Sequence, residues 1–106
     1  MQYQQGDVCF ELVENIPQAT KAKGRGTKGF VLAEGEVTGH AHRVYDNIKM
    51  YRFNDDAGVA FIDTGDGGAT VTHEEHKPVN LPPGKYRVWQ VVEADHLERV
   101  IRRVAD

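Results

Sequence analysis

The sequence predicts an all-β fold: a small antiparallel barrel or sandwich, jelly-roll-like, closed by a short C-terminal helix. Three observations lead there. Seven short segments are rich in β-formers, turn residues separate them at spacings of about ten residues, and helical periodicity occurs once, near the end.

The elements follow in order. "DVCFELVE" (7–14) is the first strand, and "NIPQATKAKGRGTKG" breaks the pattern with a proline and glycines. "FVLAEGEV" (30–37), "HAHRVYD" (40–46), "IKMYRFN" (48–54), "GVAFIDT" (58–64), "ATVTH" (69–73) and "KYRVWQVVE" (85–93) complete the set. Turn chemistry divides them at Asp46-Asn47, Asn54 to Gly58, Gly65 to Gly68 and Pro82-Pro83-Gly84. In "ADHLERVIRRVAD" Asp95 is placed to cap a helix and Glu98 stands three residues on. Leu97, Val100, Ile101 and Val104 then recur at helical spacing, against Arg99, Arg102 and Arg103 on the other side. A helix this short must dock on something, and a last strand is the competing reading.

Length and composition narrow the class. A chain of 106 residues makes one β domain, 1–106, with a modest core, so a metal or a homo-oligomer would be a useful source of extra stability. The net charge of −3 gives no global pull toward nucleic acid or acidic membranes. No apolar run is long enough to span a bilayer, and "MQYQQGDVCF" has the pattern of no signal peptide, so a cytoplasmic location and no membrane partner are expected. The single cysteine, Cys9, excludes an internal disulfide and reads as a small buried hydrophobe.

Four of the five histidines fall in two short runs, "TGHAHRV" (38–44) and "VTHEEHKPV" (71–79). On a strand, residues two apart share a face, so His40 and His42 project together and can converge on one ion. His73 would share a face with Val71, and His76 joins it only if Glu74-Glu75 bend the chain. His40, His42, His73 and His76 are therefore the candidate ligands of a divalent transition metal. Zinc is the first expectation, and iron, nickel and copper suit imidazole as well. Glu74 and Glu75 are the candidate catalytic residues, as general bases beside a metal-bound water. His96, at the start of the helical segment, reads as solvated.

The blocks "GDVCFELVENIP", "VLAEGEVTGHAHRV" and "THEEHKPVNLPPGKYRVWQVVE" resemble a group of small bacterial and phage-type β-proteins, over nearly the whole chain. That resemblance implies no activity. The chain is also loosely similar to the cupins, jelly-roll barrels that hold a metal with a His-x-His pair, a glutamate and a later histidine. His40 and His42 match the pair, and "LPPGKY" matches the proline-glycine turn. Asp46 stands where the carboxylate should follow, and Arg87 where the last histidine should be. The likeness implies a fold class and no chemistry.

Three functional readings fit these features. One is a metal-binding protein with hydrolytic or oxidative activity. A second is a metal-free homo-oligomeric assembly or interaction protein. The third is a phosphate- or nucleic-acid-binding module using Lys21, Lys23, Arg25 and Lys28, which crowd a glycine-rich loop with no P-loop signature.

Overall fold

A computed structural model describes residues 2–35, 37–54 and 58–91. Among them the fold is all-β, with ten strands: β1 (Gln2–Gln5), β2 (Val8–Val13), β3 (Lys21–Lys23), β4 (Phe30–Glu34), β5 (Ala41–Val44), β6 (Lys49–Arg52), β7 (Val59–Asp63), β8 (Ala69–Thr72), β9 (Val79–Leu81) and β10 (Lys85–Gln90). One 3₁₀ turn, Gly65–Gly67, leads into β8.

Two antiparallel sheets form, one in the order β1-β2-β10-β7-β6-β3 and the other β4-β5-β8-β9. Neither closes on itself, so of the two predicted architectures the sandwich is found and the closed barrel is not. The expected C-terminal helix, with His96, lies outside the described residues.

Alternation builds the core. Along β10, Tyr86 and Val88 are buried while Lys85, Arg87 and Trp89 take the other face. Register sets Val88 between Phe10 and Ala60, and Tyr86 beside Ile62. The smaller sheet contributes Phe30, Leu32, Val44, Val71 and Leu81 to the same cluster. Trp89 and Arg87 stack on the outer face, the guanidinium carbon 4.3 Å from the ring centroid.

The turns are tied as well as placed. The Pro82-Pro83-Gly84 turn is held by Thr64, whose hydroxyl accepts from the Gly84 amide at 2.9 Å, and by the Tyr86 hydroxyl, which donates to the Pro82 carbonyl at 2.6 Å. Strand β4 carries a bulge between Val31 and Ala33. Arg52, reaching across from the other sheet, donates to the Leu32 carbonyl at 2.8 Å. Bulge and arginine together blunt this sheet edge against pairing with a foreign strand.

Candidate functional site

Three turns meet at one end of the sandwich. The β1–β2 hairpin brings Gln5, Gly6 and Asp7, the start of β5 brings His40 and His42, and the β8–β9 connection brings His73 to His76. The hairpin is two residues long, between the Gln5–Val8 pair, and Gly6 takes φ +58° as such a tight turn requires. The 74–76 segment bends, which swings His76 to the side of His73.

The four imidazoles converge. The His42 ring centroid lies 4.4 Å from that of His73 and 6.0 Å from that of His76, and the latter two are 4.7 Å apart. His40 joins at 5.9 Å from His73. His42 is the hub and is fully buried, whereas His76 is exposed.

His42 is oriented by Gln5, itself buried. The Gln5 amide nitrogen donates to the carbonyls of Val71 and Lys77, both at 2.9 Å, which leaves its oxygen facing His42 Nδ1 at 2.8 Å. That oxygen can only accept, so His42 carries its proton on Nδ1 and presents a lone pair at Nε2. Burial, and then the neighbouring His73, hold its pKa below the ordinary 6.5, so the ring is neutral at pH 7.

Asp7 faces that lone pair. Its Oδ1 stands 3.6 Å from His42 Nε2, while its Oδ2 accepts from the Gln90 side-chain amide at 2.6 Å. Gln90 therefore aims the carboxylate. Two acceptors, an imine nitrogen and a carboxylate oxygen, point at the same small space.

The flanking histidines differ from His42. His73 Nδ1 accepts from the Glu75 amide at 3.0 Å, so its proton sits on Nε2, beside Gly35. A Cβ on Gly35 would lie 3.1 Å from that nitrogen. His76 Nε2 rests on Gly6, where a Cβ would lie only 2.6 Å away. His40 Nδ1 is buried without a hydrogen-bond partner among the described residues, its nearest carboxylate oxygen being Glu75 Oε1 at 3.9 Å.

The two glutamates divide. Glu74 accepts from the Ala41 amide at 2.8 Å through Oε1 and from Arg43 Nη1 at 2.6 Å through Oε2. The hydrogen bond from Ala41 is the largest influence lowering its pKa to about 2. With both oxygens engaged, Glu74 staples the 73–76 bend onto β5. Glu75 is largely exposed, and its carboxylate is the one facing His40.

Among the described residues, no group of three or more His, Cys, Asp or Glu side chains is arranged to hold a metal ion as it stands. One pair, His42 and Asp7, has its donor atoms set, and the other rings surround it. Asp46 lies at the far end of β5, accepting from the Thr70 amide at 2.8 Å, and Arg87 lies on the outer face of the larger sheet. Neither cupin-like position belongs to this cluster.

Asp7, Gln5 and Gln90 carry no motif in the sequence that marks them as part of a site. The single signal was the "QGD" turn, which is indistinguishable from an ordinary hairpin tip until His42 is placed beside it. A cleft of about 300 Å³ lined by Val31, Glu34, Thr38, His40 and Arg43 adjoins the cluster through His40. A second, of about 330 Å³, lies on the other side of β4 and holds no histidine. Lys21, Lys23, Arg25 and Lys28 are all exposed, on β3 and the turn that follows.

A family model described as "Domain of unknown function (DUF8820)" matches residues 4–91, and the chain belongs to that family. No curated protein and no solved structure matches it. Among the described residues, no helix is long and apolar enough to cross a membrane.

Proposed function

We propose that the protein binds one divalent transition-metal ion at this end of the sandwich, through His42 Nε2 and Asp7 Oδ1 with His76 as the third ligand. The observation that carries the reading is the pair of facing acceptors. Two ligands about 2.1 Å from a tetrahedral ion stand roughly 3.4 Å apart, close to the 3.6 Å separating His42 Nε2 from Asp7 Oδ1. A proton shared by the pair is the other way to relieve them, and burial of His42 opposes it.

The surrounding hydrogen bonds are those a ligand needs. A metal-binding imidazole ordinarily donates its second N–H to a fixed acceptor, as His42 does to Gln5, and a ligating carboxylate is itself hydrogen-bonded, as Asp7 is by Gln90. His76 is exposed, its ring centroid 6.0 Å from that of His42, and it would reach the ion by turning its Nε2 off Gly6. His73 in its present tautomer serves as a hydrogen-bond donor beside the ion. A shift of its proton, or recruitment of His40, would supply a fourth ligand.

Imidazole and carboxylate together suit zinc first, then iron, nickel or copper. With three protein ligands a position remains for water or substrate, which fits hydrolytic or oxidative chemistry. Glu75, exposed and facing His40, is then the carboxylate able to take a proton, while Glu74 positions the bend. Metal analysis of tag-free protein after supplementation tests the reading. About one equivalent of metal supports it, and less than about a tenth of an equivalent contradicts it.

A further inference from the structure

We infer that the basic edge formed by β3 and the glycine-rich turn after it binds single-stranded nucleic acid, with Tyr45 as a stacking surface for a base. Residues 15–33 contain four cations and no acidic residue, in a chain whose net charge is −3. The cationic character is therefore local, and it sits on the surface: residues 21–28 are exposed throughout. Among the described residues, none of Lys21, Lys23, Arg25 and Lys28 is engaged in an ion pair or a side-chain hydrogen bond. Four uncompensated cations on one edge cost free energy through mutual repulsion, and a polyanion relieves it.

The backbone shapes this edge for close approach. Gly26 and Gly29 exchange hydrogen bonds at 3.3 and 3.2 Å, making a tight tip that presents Lys28. Gly29, at φ +79°, is pressed against β5: a Cβ there would lie 2.8 Å from the Val44 carbonyl oxygen and 3.0 Å from the Tyr45 ring. The tip is thus held beside Tyr45, whose ring is half exposed. Gly24 has open space around it, so a ligand backbone meets no side chain there. Lys21 and Lys23 share one face of β3, roughly 6.8 Å apart along the strand, a row of charge that follows an extended chain. A row of cations and an aromatic ring beside the tip that follows it are the two parts that non-sequence-specific single-strand binding uses. An extended single strand engages both parts at once, its phosphates on the cations and a base on the ring.

The test is fluorescence polarisation of the full chain with a labelled oligothymidylate, across a salt series, with and without a chelator. Binding unaffected by the chelator separates this edge from the histidine cluster. Four phosphate contacts predict a log–log salt slope of roughly −2.8. Reversing all four cations (K21E, K23E, R25E, K28E) should abolish binding, with the folded state checked by circular dichroism. Tyr45→Ala should weaken it at least about fivefold, and Tyr45→Phe should restore it, because the phenyl ring still stacks. Absence of binding at low salt would overturn the inference. So would retention by the charge-reversed variant, or equal affinity for heparin with no effect of Tyr45→Ala, which would mark a general polyanion surface.

Discussion

Replacing Gln5 by leucine removes one buried amide and acts twice. The side chain is about as large, so the change is chiefly of polarity. Three hydrogen bonds disappear, at 2.8, 2.9 and 2.9 Å, leaving His42 Nδ1–H and the carbonyls of Val71 and Lys77 to find other partners. Each buried group left unsatisfied costs about 1–3 kcal/mol, and the Lys77 carbonyl lies near enough to the surface to recover water. The expected loss is therefore roughly 2–6 kcal/mol in a urea melt of the metal-free protein, a large share of a small domain's stability. The second effect is on the site. With its Nδ1 acceptor gone, His42 is free to change tautomer, and zinc affinity should fall about 10–100-fold in a competition titration with a chromogenic chelator. Gln5→Glu separates the two. It keeps an acceptor for His42 but cannot donate to Val71 and Lys77, so stability falls while zinc affinity is held or improved. If the leucine variant lost stability yet bound zinc within about twofold of the parent, the claim that Gln5 prepares His42 as a ligand would be refuted.

Three further outcomes are expected. Stability should depend on pH in two windows. His42 has a lowered folded pKa, so below about 6.5 the unfolded chain takes the proton first and stability declines; His42→Gln should remove that slope. Glu74, lowered from 4.5 to about 2, should add a second decline between those values, absent in Glu74→Gln. Gly6→Ala should strain the φ +58° hairpin that carries Asp7, lowering zinc affinity about tenfold or more while His42→Gln abolishes it, both read by the same titration. Glu74→Gln should loosen the bend and weaken zinc about tenfold through misplaced ligands, whereas Glu75→Gln should leave zinc affinity unchanged and affect only a proton-transfer step.

The sandwich was largely legible because the core strands alternate. "VCFEL", "VAFID" and "KYRVWQ" show period-two patterning, and turn residues fence them. The strands that were missed lack it for identifiable reasons. Strand β1 is "QYQQ", polar at three of its four positions, so the face it buries, Tyr3 against the core and Gln5 under His42, carries no apolar alternation to read. Strand β3 is three exposed residues paired only with β6, and β9 is three residues long. At the site, the two histidine runs are plain in the sequence, but whether they share one place is not; the bend at 74–76 brings the rings of His73 and His76 beside His42. Asp7 is not legible either, because it stands 35 positions before His42 and only the β1–β2 hairpin carries it there. The division of labour between Glu74 and Glu75 was equally hidden. Neighbouring glutamates look alike in a sequence, and the Ala41 amide and Arg43 distinguish them only in the fold.

The most direct measurement is long-range ¹H–¹⁵N correlation of the imidazole rings during a zinc titration. His42 in the metal-free protein should be protonated on Nδ1 alone, and zinc should move its Nε2 resonance to the position of a metal-bound nitrogen, saturating near one equivalent. A proton found on His42 Nε2, or an Nε2 resonance that stays in place under excess zinc, would contradict metal ligation by His42.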